Sequence, residues 1–263
     1  MTLRVVSFGG GVQSTALLVL AAQERIEFRS FLFANVGDHA ENPDTLAYVE
    51  QVARPYADDH GIELAEIRWT TRAGKVRDLY DDLLVANDIP IPVRFPSGAF
   101  GHRNCTRAYK IVPVARELRR RGATVDDPAV IALGISVDEI ERAKPGIPAQ
   151  QPWTTRTFPL LDLGLSRRDC RKLIDTAGLP VPPKSACWFC PYSSTTQWRD
   201  RRQRTPELFE SAVDLERTLS DRNYARTGLG AGLASGLLTL DQAVDDQLAL
   251  PGMDECDSGW CMT

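Results

Sequence analysis

The chain has 263 residues and lacks any long apolar run. No stretch approaches the ~18 consecutive apolar residues that a membrane-spanning helix needs, so no membrane association is expected. It also lacks an excess of basic charge. Its 31 Lys and Arg face 35 Asp and Glu, for a net charge of −4. That excludes a protein that coats nucleic acid by bulk charge alone. Lysine is scarce: five of the cations are Lys and the other 26 are Arg, the better residue for bidentate phosphate contacts. The three histidines, His39, His60 and His102, are too scattered for a histidine metal triad. There are no internal repeats and no low-complexity blocks. The first residues carry no basic start followed by an apolar stretch, so secretion is not expected. A reducing cytoplasm is, and there the six cysteines point to metal binding or redox chemistry more than to disulfides.

What is present is an alternation of apolar runs and helical patterns. Strands are expected at residues 3–8, 29–34, 62–69 and 129–135, with a fifth at 157–161. Helices are expected at 14–25, 45–60 and 110–121. This predicts an α/β fold: a parallel sheet with helices on both faces and ligands at the carboxyl ends of the strands. The character changes near residue 165. Ser166 is a good N-cap for a charged helix over 166–177. Pro180, Pro182 and Pro183 then force an extended connector that delivers Cys187 and Cys190. A helix over 205–222, a glycine-rich loop at 228–236 and a short tail with two more cysteines follow. The expected division is a nucleotide-binding domain, 1–165, with a small helical, cysteine-bearing region, 166–263, packed on it.

The first strand runs into Ser7-Phe8-Gly9-Gly10-Gly11-Val12-Gln13-Ser14-Thr15 and then into a helix. Glycines let backbone approach a ligand closely, and a helix N-terminus offers free N–H groups and a positive dipole end. Ser14 and Thr15 add hydroxyl donors. A phosphate or pyrophosphate is the natural guest. No Lys follows, so the segment is not a G-x-x-x-x-G-K-[ST] loop, nor is it G-x-G-x-x-G.

The segment resembles the pyrophosphate loop, S-G-G-x-D-S, of the N-type ATP pyrophosphatases. The nearer likeness is to the branch holding phosphoadenosine-phosphosulfate (PAPS) reductases and the ATP pyrophosphatases of sulfur transfer, in the adenine-nucleotide alpha-hydrolase superfamily. Gly9 stands at the motif's first Ser, Gly10 and Gly11 at its glycines, and Ser14 at its last Ser. Gln13 stands at its Asp, so a carboxylate for Mg²⁺ is missing there. Three more segments resemble the same branch in the same order. They are Asn35-Val36-Gly37-Asp38-His39-Ala40-Glu41-Asn42-Pro43, Arg103-Asn104-Cys105-Thr106-Arg107-Ala108-Tyr109-Lys110-Ile111-Val112-Pro113, and Gly134-Ile135-Ser136-Val137-Asp138-Glu139-Ile140-Glu141-Arg142. The resemblance implies a Rossmann-like (HUP-type) fold. It also implies an ATP site with Ser7, Gly9, Gly10, Gly11, Gln13, Ser14, Thr15, Asn35, Asp38 and Gly134 around the nucleotide. Asp38 and Glu41 are candidates for Mg²⁺ or the ribose, and Lys110 and Arg142 for the phosphates. Ser14, Asp38, Lys110 and Arg142 are the expected catalytic set. Asp138 and Glu139 have a structural alternative, as acidic residues stabilised at a helix N-terminus.

Cys187-Trp188-Phe189-Cys190-Pro191 is a C-x-x-C turn, Cys256 and Cys261 form a looser C-x₄-C pair, and Cys105 lies upstream. Thiolates so spaced suit an iron–sulfur cluster or zinc, or act as a redox or sulfur-carrying pair. The resemblance favours [4Fe–4S], with zinc as the alternative. Cys187 and Cys190 are the surest ligands, Cys105 is next, and Cys256 or Cys261 completes the set or stays free to carry sulfur. Cys170 reads as a core residue. The arginine-rich runs at 119–121 and 199–202 read as solvated helix faces, or as a polyanion grip if they flank the cysteine site.

The implied activity cleaves ATP to AMP and pyrophosphate. An acceptor oxygen is adenylated, and sulfur then displaces AMP. DNA phosphorothioation is the favoured acceptor chemistry and tRNA thiolation the alternative. A cysteine desulfurase is the expected sulfur donor, other modification-complex proteins are expected partners, and a homodimer is compatible with the sequence. Two other readings stay open. One is a thiol-dependent PAPS reductase, although Glu255-Cys256 is followed by Asp257 and not by Gly. The other is a metal-stabilised nucleic-acid-binding module with a vestigial nucleotide site.

Overall fold

Side chains alternate along the strands, and that decides which face each helix covers. The computed structural model describes residues 2–143 and 151–245. Strand β1 (Arg4–Phe8) leads through the glycines into α1 (Val12–Ala22), and β2 (Ser30–Asn35) follows. A helical run then passes from α2 (Pro43–Tyr48) through a π turn (Val49–Ala53) into α3 (Arg54–Asp59), before β3 (Glu63–Arg68). Next come α4 (Leu79–Val85), the short α5 (Asn104–Thr106), a second π turn (Arg107–Ile111) and α6 (Val112–Arg120). Each π turn precedes a proline, Pro55 or Pro113. Proline lacks the N–H of the regular ladder, and its ring crowds the carbonyl four residues back, which the wider turn accommodates.

The sheet is completed by β4 (Ala129–Leu133) and β5 (Thr154–Thr157). All pairings are parallel and the order is β3-β2-β1-β4-β5. Val6 and Phe8 of β1, with Phe31 and Phe33 of β2, turn to one face, where Leu17, Leu18 and Leu20 of α1 and Tyr48 of α2 meet them. Val5, Leu32 and Ala34 turn to the other face, against Val114 and Leu118 of α6. The expected Rossmann-like sheet with helices on both faces is therefore what forms.

The fifth strand lies at Thr154–Thr157, upstream of the expected 157–161. Pro159 instead starts a helical turn, α7 (Pro159–Asp162), because its fixed φ suits a first helical position and its nitrogen has no ladder hydrogen to give. Helix α8 (Arg167–Thr176) has the expected Ser166 cap, with the Ser166 hydroxyl accepting from the Asp169 N–H. Its Cys170 and Ile174 pack into the α1 side of the core.

A second core lies beyond the carboxyl edge of the sheet. It gathers Val36 and Ala40, which follow β2, with Leu79 and Leu83 of α4 and Tyr109, Trp188 and Phe189. Over it pack Trp198 of α9 (Thr195–Arg204), Phe209 and Leu215 of α10 (Pro206–Thr227), and Leu240 and Val244 of α11 (Leu240–Val244). Helix α10 outruns the expected 205–222 and stops at Gly228, whose φ of 72° is the left-handed conformation of a helix C-cap. No helix among the described residues is long and apolar enough to cross a membrane.

Candidate nucleotide cleft and cysteine turn

Strand β1 neighbours β4, and the chain leaves the two strands toward opposite halves of the sheet. A crevice opens at such a switch point, and the glycine loop sits on one lip. Gly10 has a φ of +73°, and a Cβ there would lie 2.9 Å from Thr45 Cγ2. Both facts require glycine. On the other lip, a Cβ on Gly134 would lie 3.1 Å from the Ser14 nitrogen. The bare backbone lets the exit of β4 close onto the first turn of α1, whose N–H groups lack helical partners. The loop is also closed on itself. The Gly11 N–H donates to Ser14 Oγ at 3.1 Å, and the Ser14 hydroxyl donates to the Gly11 carbonyl at 3.0 Å.

The cleft is shallow and open to solvent. Of the expected residues, Ser7, Gly11, Gln13, Ser14, Gly134 and Arg142 line it. Gly9 and Gly10 shape the loop behind it, and Thr15 is fully buried. Arg142 Nη1 donates to Glu139 Oε2 at 2.6 Å, and both side chains are nearly buried. Asp138 accepts from the Arg167 N–H at the start of α8, so it ties the β4 exit to that helix.

Asn35 and Asp38 lie elsewhere, at the end of β2. Asn35 Nδ2 donates to Asp38 Oδ1 at 3.1 Å and to Glu66 Oε1 at 2.9 Å. Arg68 grips Asp38 with both Nη atoms, at 2.8 and 2.5 Å. Those hydrogen bonds hold the Asp38 carboxyl below its ordinary value. Lys110 is also outside the cleft lining. Its Nζ is 4.0 Å from Oε2 of Glu41, a fully buried carboxylate. Among the described residues Glu139 is the one carboxylate lining the cleft, and it is engaged by Arg142. The donor set there does not fit a protein-held Mg²⁺ ion.

The structure adds Lys184, Ser185, Arg167 and Glu139 to the cleft wall. The Ser185 hydroxyl donates to the Gly9 carbonyl. Lys184 Nζ donates to Gln197 Oε1 at 2.9 Å, the same oxygen that accepts from the Ser194 N–H at the start of α9. Farther back, the Tyr48 hydroxyl donates to the Pro180 carbonyl at 2.9 Å. The proline connector is thus pinned across the loop. Its extended, proline-set form just ahead of the C-x-x-C turn was the signal available in the sequence. The separation of some 175 residues between Ser185 and Gly9 hid the contact.

Two residues past Ser185 the chain makes the cysteine turn. The Cys190 N–H donates to the Cys187 carbonyl at 3.1 Å, and the Ser193 N–H donates to the Cys190 carbonyl at 3.0 Å. Buried Trp188 and Phe189 anchor it, and Trp188 Nε1 donates to the His39 carbonyl at 2.6 Å. Backbone of Glu41 bridges to Cys187. The Cys105 segment comes over the same turn: Arg103 stacks 5.3 Å from the Tyr192 ring, and Phe100 packs 5.1 Å from it. Burial pushes the Cys105 thiol up. Cys105 and Cys187 pack against the same core, with Cys190 three residues on, but among the described residues the three thiols do not all come within 4.8 Å of one another. Cys256 and Cys261 lie outside the described residues. Cys170 is a core residue as expected, its thiol pushed up to about 12 by burial. His39, Asp78 and Asp81 also bring ligand atoms within 4.8 Å of one another, on the surface. Asp78 there accepts from the Tyr80 N–H as the cap of α4.

Fold and site together define a Rossmann-like α/β protein with a glycine loop at its switch point and a cysteine turn beside it. No family model and no curated protein matches the chain. Among solved structures, the U34-tRNA thiolase NcsA from Methanococcus maripaludis with its [4Fe-4S] cluster is similar at 15% identity. The likeness covers 82% of this chain and 72% of that one, with a TM-score of 0.44. A superposition this loose leaves the chemistry to be read from the residues themselves.

Proposed function

We propose that this chain is an ATP pyrophosphatase of the PAPS reductase-like type that activates an oxygen of a nucleic acid for replacement by sulfur. The observation that carries the reading is the hydrogen bond from Ser185 to the Gly9 carbonyl. It joins the segment delivering Cys187 and Cys190 to a loop built to receive phosphates, so nucleotide and sulfur chemistry adjoin.

ATP lies with its phosphates on the first turn of α1. N–H groups of the first turn of α1 receive them, and Arg142 and Lys184 flank them. An acceptor oxygen attacks the α-phosphorus, the bond to the β-phosphate oxygen breaks, and pyrophosphate leaves. The acceptor now carries AMP. A sulfur nucleophile then bonds to the acceptor atom, and AMP departs with the former acceptor oxygen. The protein contributes positioning and fixed positive charge. Cys105, Cys187 and Cys190 would hold an iron–sulfur cluster, which when bound supplies a place for inorganic sulfur. A cysteine desulfurase supplies that sulfur as a persulfide, and a dithiol reductant added to the assay gives the two electrons that bring it to the sulfide level. The acceptor we favour is a DNA phosphate, on the strength of the motif resemblance.

The test is anaerobic incubation of the full chain with α-labelled ATP, a desulfurase with cysteine, a dithiol reductant, and either DNA or tRNA. AMP and pyrophosphate, formed in proportion to sulfur in the DNA, are expected. The same products with tRNA move the acceptor to RNA. Uncleaved ATP, or ADP as product, overturns the reading. Sulfite from PAPS without ATP cleavage replaces it with a reductase.

A further inference from the structure

A second cleft, open to solvent, lies on the far side of the Pro183-Lys184 connector. Lys184 lines both clefts, so only the connector separates this space from the glycine loop. Its cations are Lys184, Arg201 and Arg204, and Asp44 and Asp200 also line it. We infer that this cleft seats a backbone phosphate of the nucleic-acid acceptor, with Arg201 and Arg204 as its receptors. The inference rests on the proposed adenylation of a nucleic acid, and it names where that strand is gripped.

Arg201 carries the argument. Its guanidinium lies 4.7 Å over the ring of fully buried Trp198. Its Nη1 is buried and has no hydrogen-bond partner among the described residues. Burial pushes its pKa down, while Cys190, Asp200 and Asp44 act on it only through space. A buried guanidinium nitrogen with no acceptor is costly, and turning the Arg201 head toward an anion in the cleft relieves it. Arg204 is poised differently. Its Nε is 2.6 Å from Asp200 Oδ1, but its side chain is 78% exposed. A solvent-screened pair of that kind exchanges readily for a phosphate.

The position suits the chemistry. An acceptor oxygen must reach the α-phosphate in the first cleft, and the phosphates on either side of it in the strand must lie close by. The second cleft is the adjoining cationic space, and Cys190 lies near enough to its Arg201 to act on it through space. The arginine-rich run of α9 therefore flanks the cysteine site, the condition under which the sequence reads as a polyanion grip.

The test uses the full chain, fluorescein-labelled single-stranded DNA and tRNA, and a non-hydrolysable ATP analogue. Arg201→Met and Arg204→Glu are each expected to weaken strand binding about tenfold or more. Arg204→Glu should also reduce the salt dependence of the affinity by about one phosphate contact. Affinity for the ATP analogue should stay unchanged in Arg204→Glu. If Arg201→Met does not fold, Arg204→Glu alone decides. Wild-type strand affinity and salt slope in Arg204→Glu overturn the inference, as does a wild-type chain that binds neither DNA nor tRNA. Failure of the wild-type chain to bind the ATP analogue sinks the proposed function instead, a separate readout.

Discussion

The glycine loop and the cysteine turn sit side by side and are held by different means. The loop is set by the sheet: β1 fixes where it starts, Gly10 and Gly134 permit close backbone approach, and Ser14 closes it with two hydrogen bonds. It is shaped before any ligand arrives. The turn hangs on a proline connector and a cluster of aromatic side chains, and under the proposed reading its thiols hold a guest. One half is preorganised backbone and the other is side-chain chemistry. A phosphate needs donors already aimed at it, whereas a metal centre contributes its own bonds to the final arrangement.

Perturbing each half should break this comparison in different ways. The largest effect is expected for Cys187→Ser and Cys190→Ser. Metal content should fall to background while affinity for an ATP analogue stays within about twofold, as metal analysis and nucleotide titration of the same sample will show. Loss of nucleotide binding in those variants would mean the loop depends on the turn. Next is Arg142→Ala, which removes fixed charge from the cleft. Pyrophosphate release should drop by about 10²–10³, the range for losing one preorganised donor, with metal content untouched.

Smaller effects concern stability. Gly10→Ala forces a side chain into a left-handed φ and against Thr45, and should cost about 1–3 kcal/mol in denaturant unfolding. Glu216 sets the second core apart. Its buried carboxylate accepts from the N–H groups of Leu233 and Leu240, and burial raises its pKa to about 7. The folded chain then holds this proton more tightly than the unfolded chain, whose carboxyl titrates near 4.5. Between those values unfolding releases a proton, so this group's contribution to stability falls as pH rises from about 4.5 to 7. In Glu216→Gln that component of the slope should vanish, while Gly10→Ala should keep it. The smallest effect is expected for Ser185→Ala, about 0.5–1.5 kcal/mol for one hydrogen bond. Its interest lies in whether nucleotide and metal sites then stop sensing each other.

The sheet and its ligand edge were legible because apolar runs and glycines are local signals. Gly9–Gly11 could be placed at a strand end from the alternation alone, whereas the expected fourth strand ran through Gly134 and the structure ends it at Leu133. Helix α9 was hidden because only Trp198 of its ten residues is buried, so no apolar stripe marks it. The strand at 154–157 was missed because Thr154-Thr155-Arg156-Thr157 has no apolar residue to announce it. Lys184 and Ser185 reach the cleft only through tertiary folding of the connector, which no spacing in the sequence records. Asp38 and Lys110 show the converse. Their neighbourhoods were readable, but their partners, Arg68 and Glu41, belong to another strand and another loop.

The central claim is that the loop and the thiols form one site. The most direct measurement is to titrate the anaerobically purified chain with a non-hydrolysable ATP analogue while recording its visible spectrum and its iron, zinc and sulfide content. The account predicts iron with matching sulfide and an absorption band that changes as nucleotide binds. Zinc without iron, or a band indifferent to saturating nucleotide, would contradict it.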